Sequence, residues 1–127
     1  MALMSRFAFT AALMCAAPAF AETAYFTAIP DLPLAQGLHD VGDNWEFSNA
    51  GVRVFGAAAR GRARAEQVRA FYQETLPALG WAVSVGSGGE NETVYLRGRE
   101  QLELSIHQRG EDVLLAVRVF VNPAPRD

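Results

Sequence analysis

Ser105 and His107 are of the residue types that form a nucleophile and a general base, and they lie two positions apart. Residues at this spacing on a strand point the same way without touching closely, so we expect His107 to be structural or solvent-facing. The sequence lacks the Gly-x-Ser-x-Gly turn that exposes a catalytic serine in one class of hydrolases. The only cysteine is Cys15. We therefore expect no catalytic residues.

A second group, His39, Asp40 and Asp43, combines residue types that ligate metals. A metal site needs several such ligands at a defined spacing, whereas this cluster has one histidine in a loop. We therefore predict no metal site, and no motif in the sequence indicates a cofactor.

Arg60, Arg62 and Arg64 form a third group, just before a predicted helix. Guanidinium groups suit phosphate and carboxylate groups, so one interpretation is an anion-binding site and the other is a solvated loop. The chain as a whole has a net charge of −3 and no lysine. Because nucleic-acid-binding domains carry a basic excess, we exclude binding of nucleic acid through bulk positive charge.

The chain that must position these residues shows two periodicities. Apolar and polar residues alternate over 45–48 and again over 52–55, on either side of an Asn-Ala-Gly turn, which predicts a β-hairpin. After the arginine group, apolar residues recur every three or four positions. This spacing predicts an amphipathic helix that ends or bends at Pro77 and stops at Gly80.

Four further strands are predicted after the helix, and the last two form a hairpin with a defined register. A tight loop at residues 110–111 would place Leu104 opposite Val117 and Glu103 opposite Arg118. A slip of one residue would destroy both matches. The predicted fold is therefore α+β in two layers, with one amphipathic helix packed on an antiparallel sheet made of a β-hairpin and a four-strand meander.

The predicted sheet has one face against the helix and one face turned away from it. We expect the helix to pack on Trp81, Val83, Val94, Leu96, Leu102, Leu104, Val117 and Val119. The opposite face is expected to carry Tyr95, Glu103, Ser105, His107, Leu114, Arg118 and Phe120. Because this face mixes apolar and charged residues, we expect either the N-terminal segment or another molecule to cover part of it. We predict that Tyr95, Arg118 and Phe120 bind that molecule.

Residues 1–21 have the features of a secretory signal peptide. Arg6 precedes an apolar run, and small residues end the segment at Ala19-Phe20-Ala21. Cleavage after Ala21 would release the protein into the periplasm without a transmembrane span. It would also remove Cys15 and every methionine, so the cleaved chain would have neither a thiol nor a disulfide.

The rest of the chain divides into an extended strap at residues 22–44, a single α+β domain at 45–122 and a short tail at 123–127. The strap contains Pro30 and Pro33, each of which favours extended backbone before it. It lies across the domain in one interpretation and faces a partner in the other.

Two segments resemble short exported proteins of proteobacteria. They are Ile-Pro-Asp-Leu-Pro-Leu at residues 29–34 and the pattern Phe-Tyr, three residues, Leu-Pro-x-Leu-Gly-Trp at residues 71–81. The family has no assigned activity, so the resemblance implies export and carries over no functional residue.

We therefore expect a non-enzymatic periplasmic domain that binds a protein or a cell-envelope component through the sheet face turned away from the helix. One alternative is a small-ligand or anion-binding module that uses Arg60, Arg62 and Arg64. The other is an enzyme whose site the sequence does not reveal.

Overall fold

The computed structural model describes residues 23–85 and 88–124. The predicted signal peptide and residues 125–127 of the predicted tail lie outside the described residues. Within them the chain forms one helix and seven strands in one antiparallel sheet, so the α+β prediction is confirmed. In this part of the chain, no helix has the length and apolar character needed to cross a bilayer.

Strands that precede the helix in the chain and strands that follow it form the same sheet. Its strands are β1 (Leu38–Asp40), β2 (Trp45–Asn49), β3 (Val52–Arg62), β4 (Ala82–Val83), β5 (Glu92–Arg97), β6 (Glu100–Arg109) and β7 (Asp112–Val121), and helix α1 (Ala65–Ala78) lies between β3 and β4. The strand order is β1-β3-β7-β6-β5-β4, and β2 pairs with β3 along the same edge as β1.

The predicted hairpin forms, but its second strand is much longer than the sequence indicates. β2 and β3 pair from Asn49 opposite Val52 to Trp45 opposite Gly56. β3 then continues to Arg62 beside β7, so Arg60 and Arg62 lie on a strand and not in the solvated loop of one interpretation. Most of the residues in this part of β3 have small side chains, so β1 can approach β3 closely and pair with it. A Cβ atom at Gly61 would overlap the backbone of β1's preceding turn.

The register of the last hairpin is confirmed. Leu104 faces Val117 and Glu103 faces Arg118, with a two-residue loop between β6 and β7. Residues directly opposite one another share a face of the sheet. The leucine and valine therefore point towards α1, and the ion pair points away from it.

The prediction of which β5 residues point towards α1 is wrong by one position. Tyr95 lies opposite Leu102, and Val94 lies opposite Glu103. Tyr95 therefore points towards α1 and is 2% exposed, while Val94 and Leu96 point away. The three residues from Val94 to Leu96 are all apolar, so their alternation does not fix a face; the pairing with β6 does.

We call the face that α1 covers the inner face and the opposite face the outer face. Of the predicted strap, residues 38–40 form β1, and residues 23–37, for which we keep the name strap, also pack on the inner face. Its buried side chains join those of the sheet and the helix in a single core, with the strap contributing Phe26, Ile29, Leu32, Leu34 and Ala35, and α1 contributing Val68, Tyr72 and Leu76. Burying one large apolar side chain stabilises a fold by about 1.5–3 kcal/mol. The buried side chains of the strap therefore contribute to the stability of the core.

Tyr72 joins the strap to the helix. Its hydroxyl group donates a hydrogen bond to the carbonyl oxygen of Pro33 at 2.9 Å and accepts one from the N–H of Ala35 at 3.2 Å. The side chain is almost fully buried, and this burial raises the pKa of Tyr72 well above its ordinary value. A buried hydroxyl with both functions satisfied fixes the position of the strap.

Arg97 joins the strap to the sheet and to the end of α1. Its guanidinium group contacts Asp31 Oδ2 at 2.8 Å and lies 4.2 Å from the ring centroid of Trp81. It also donates a hydrogen bond to the carbonyl oxygen of Leu79 at 3.1 Å. Asp31 and Trp81 both contact Arg97, so residues 29–34 and 71–81 converge on one side chain.

Candidate functional site

The outer face begins with a row of mainly apolar residues that starts on the β2–β3 hairpin. The row crosses five strands through Phe47, Val54, Phe120, Gln101 and Leu96. Phe47 is 60% exposed, and Leu96 is 45% exposed. Phe120 therefore lies on the outer face as predicted, but it is the middle of a row whose more exposed aromatic residue is Phe47.

The next row combines an aromatic ring with an ion pair. It runs from Trp45 through Gly56, Arg118 and Glu103 to Val94. The ring of Trp45 covers Gly56, since a Cβ atom there would overlap it. Trp45 remains 47% exposed, so part of its ring faces solvent while the rest covers the strand.

Arg118 and Glu103 neutralise each other within this row. Arg118 Nη2 lies 2.7 Å from Glu103 Oε2. That carboxylate oxygen is buried, and the contact lacks hydrogen-bond geometry, so we treat it as an ion pair and not as a hydrogen bond. The arginine head is more exposed than the carboxylate, which leaves its remaining N–H groups available to a partner.

A row of small residues forms a shallow groove behind Trp45 and Arg118. Ala58 lies opposite Ala116, which lies opposite Ser105. The groove has a volume of about 280 Å³, and Trp45, Arg118 and Glu103 also line it. Apolar, aromatic and charged groups thus border one concave strip of the outer face.

Ser105 and His107 touch across the edge of this groove, which corrects the expectation that they do not. Ser105 Oγ lies 2.9 Å from His107 Nε2. Both side chains point outward from β6, so the spacing of two along the strand brings them together. A serine nucleophile also needs an acidic group that orients the histidine and donors for an oxyanion. Among the described residues, no carboxylate oxygen is hydrogen-bonded to His107.

Arg60 belongs to the outer face and does not line the cavity that the other two arginines of its group border. Its neighbours across the strands are His39 on β1 and Leu114 on β7, and Leu114 in turn faces His107. Both histidines singled out from the sequence therefore lie in one row with Arg60. In the part of the chain that the structure describes, Arg60 forms no ion pair.

Arg62 and Arg64 lie at the start of α1, where they border a cavity of about 320 Å³. Arg62 is on β3 and forms an exposed ion pair with Glu111, while Arg64 is the residue before the first helical turn. Arg60 does not line this cavity. The structure thus brings together two of the three arginines predicted to bind an anion.

Gln108 caps the start of α1 beside this cavity. Its Oε1 atom accepts a hydrogen bond from the N–H of Ala65 at 2.8 Å. Its Nε2 atom donates to the carbonyl oxygens of Ala63, Gly110 and Asp112. The side chain therefore caps the helix from the neighbouring β6–β7 loop, a role that no sequence pattern near the helix indicates.

Asp40, next to His39, stabilises the turn that follows β1. Asp40 accepts hydrogen bonds from the N–H groups of Thr27 at 3.0 Å and Gly42 at 2.8 Å. No cluster of three potential metal ligands occurs among residues 23–85 and 88–124.

Of the three residues predicted to bind a partner, Arg118 and Phe120 lie on the outer face and Tyr95 does not. Tyr95 is buried against the core, and burial raises its pKa. The residues that the sequence analysis missed are Trp45 and Phe47. Their alternation with Glu46 and Ser48 was a usable signal, because alternate residues of a strand share a face. Comparisons of the chain with protein families, with curated proteins and with solved structures give no match.

Proposed function

We propose that this chain is a non-enzymatic periplasmic domain that binds a partner protein through its outer face. The observation that carries the proposal is the placement of both covering elements. The strap and α1 pack together on the inner face, and no described segment packs over Trp45 and Phe47. The outer face is therefore free to receive another molecule.

The composition of the outer face favours a protein as that molecule. Protein interfaces are enriched in aromatic residues and arginine, and Trp45, Phe47, Phe120 and Arg118 lie on adjacent rows. A surface that binds anionic lipid instead carries an excess of basic residues. Here Arg118 is paired with Glu103, and the net charge of the chain is −3.

Crosslinking in the intact cell envelope tests this proposal. The tagged full chain is crosslinked in cells, purified under denaturing conditions and analysed for attached proteins. We expect Trp45→Ala and Arg118→Ala to lower the yield of the attached protein by at least about tenfold, as truncation of an interface anchor costs about 2 kcal/mol.

Two variants elsewhere on the surface serve as controls. Val85→Ala removes another exposed apolar side chain, and Arg99→Ala removes an arginine at the β5–β6 turn. Both are expected to retain the crosslinked protein. The absence of any attached protein, or equal losses in all four variants, would contradict the proposal.

The cavity beside α1 supports a second candidate function, binding of a small anion. Arg62 and Arg64 both line it, together with Gln67. Phosphate at low salt is then expected to raise the melting temperature of the protein, and added salt is expected to reverse the shift. Arg64→Gln is expected to remove the shift, whereas Arg99→Gln is expected to retain it. A melting temperature that does not depend on phosphate would exclude this candidate.

A further inference from the structure

β2 has an edge that no described strand pairs. One side of the strand pairs with β3, and all five of its residues are exposed. β1 lies along the same side of β3, and the strap contacts it: Asp40 of β1 accepts a hydrogen bond from the N–H of Thr27. The outer edge of β2 has no such cover among the described residues.

The hairpin geometry identifies the backbone groups that β2 directs outward. Ala50 and Gly51 form a two-residue turn, both with positive φ, so Asn49 and Val52 are a hydrogen-bonded pair. Hydrogen-bonded and non-hydrogen-bonded pairs alternate along an antiparallel ladder. The N–H and C=O groups of Glu46 and Ser48 therefore point away from β3. Unpaired groups of this kind are a template for another strand.

We propose that a second copy of this chain pairs with β2 edge to edge, in antiparallel orientation, with Phe47 on the two-fold axis. Each copy then donates and accepts hydrogen bonds through the outward groups of Glu46 and Ser48. The two sheets become continuous, and their outer faces lie on the same side. The inference goes beyond the proposed function and does not depend on it.

Charge and register together select this pairing. Outward groups can meet outward groups only if Glu46 or Ser48 of one copy faces Glu46 or Ser48 of the other. A register that centres on Glu46 would bring two carboxylates together, which is unfavourable. A register that centres on Ser48 would leave the outward groups of Glu46 unpaired. Only the register about Phe47 pairs all five residues and places Glu46 opposite Ser48.

The side chains of β2 fit this register. Phe47 would face its own copy as a non-hydrogen-bonded pair, in which side chains approach most closely. On the inner side, Glu46 is already bound by Arg53, whose Nη2 atom lies 2.8 Å from Glu46 Oε1. The edge therefore presents a neutralised charge and an aromatic ring. The lysine, proline or inward-pointing unpaired charge that protects many edge strands is missing from β2.

Sedimentation of the full chain at concentrations from about 1 to 500 µM tests the association, since small interfaces are weak. We expect the weight-average mass to rise from monomer towards dimer. Ser48→Pro removes one outward N–H group while leaving the bonds to β3 in place, and it is expected to weaken the dimer by at least about tenfold. A monomer at every concentration, or a dimer that Ser48→Pro leaves unchanged, would overturn the proposal.

A charge exchange at Phe47 tests the register and does not rely on proline. Phe47→Asp and Phe47→Lys each place like charges on the two-fold axis, so each protein alone is expected to remain monomeric. An equimolar mixture is expected to form a heterodimer. Far-ultraviolet circular dichroism confirms that each variant is folded. Failure of the mixture to associate, with both variants folded, would overturn the register.

Disulfide trapping tests whether the two Phe47 positions lie close together, as this register requires. In a chain that carries Cys15→Ser, Phe47→Cys brings two thiols to the closest pair of the proposed ladder, so oxidation is expected to give a covalent dimer. Trp45→Cys would face Asn49 and is expected to stay monomeric. Crosslinking through Trp45→Cys and not through Phe47→Cys would contradict the proposal. Envelope crosslinking of Ser48→Pro separates the two proposals, because Ser48 lies off the outer face.

Discussion

Successive residues of β7 lie in different environments. Val113, Leu115 and Val117 are almost completely buried on the inner face, whereas Leu114 and Arg118 are partly or largely exposed on the outer face. These residues belong to one strand, so the difference in their exposure arises from what covers each face of the sheet. The strap and α1 close the inner face, and the outer face keeps a mixture of aromatic, small and charged groups. Alternate residues of one sheet thus form the core, and the residues between them form the surface proposed to bind a partner.

Truncation of two adjacent leucines gives the largest contrast between the faces. Leu115→Ala is expected to lower the free energy of unfolding by about 2–5 kcal/mol, because it leaves a cavity in the core. Leu114→Ala is expected to lower it by about 1 kcal/mol or less, because solvent reaches that side chain. Urea denaturation measures both. Equal losses would show that the outer face is also covered.

The hydroxyl groups of the two faces differ in the same way. Tyr72→Phe leaves the buried N–H of Ala35 without its partner and is expected to cost about 1–3 kcal/mol. Ser105→Ala removes an exposed hydrogen bond to His107 and is expected to change stability by less than about 0.5 kcal/mol. Denaturation at neutral pH compares the two variants, and a larger loss for Ser105→Ala would reverse the assignment.

Tyr72 also makes stability depend on alkaline pH. Its pKa is raised by burial, so the folded protein keeps the proton at a pH where the unfolded chain, with a pKa of about 10, has lost it. Stability is therefore complete below about pH 10 and falls as the pH rises above that value. The sequence contains no lysine to titrate in this range. Tyr72→Phe is expected to reduce the fall between pH 9 and about pH 11, leaving the smaller part that Tyr95 contributes.

The β2–β3 turn offers a smaller effect at the edge of the outer face. Ala50 has a φ of 51°, a left-handed conformation that costs a residue with a side chain about 1 kcal/mol. Ala50→Asn, which forms an Asn-Gly turn with Gly51, is expected to raise stability by about 0.5–1 kcal/mol. Ala50→Val is expected to lower it. Thermal unfolding measures both changes, and stabilisation by valine would show that the turn has another geometry.

The sequence predicts the parts of this fold that are fixed by local constraints. β6 and β7 are joined by two residues, and a charge pair and an apolar pair agree on one register. For β5 the same count was possible, since Arg97 and Glu100 flank a two-residue turn. The apolar run through Tyr95 instead made both faces equally acceptable, and the alternation alone gave the wrong one.

The remaining features depend on contacts between distant segments. Gln108 caps a helix that begins 43 residues earlier in the chain, and Tyr72 holds a strap 37–39 residues away. No local pattern contains such information. The candidate site is also non-local, because Trp45 acquires its position from the absence of a side chain at Gly56.

Arg118→Ala is the smallest change and tests whether the outer face serves recognition more than stability. The Arg118 side chain is 51% exposed and that of Glu103 is 23% exposed, so solvent can reach the carboxylate once the arginine is truncated, and pairs screened by solvent contribute about 0–1 kcal/mol. The variant is therefore expected to unfold within about 1 kcal/mol of the unmodified protein, while losing the envelope crosslink. Glu103→Gln is the matched control. It removes the negative charge that Arg118 pairs with but keeps the arginine, so the crosslink is expected to remain. If Arg118→Ala destabilised the protein by as much as Leu115→Ala, the arginine would belong to the core, and loss of its crosslink would no longer report on binding.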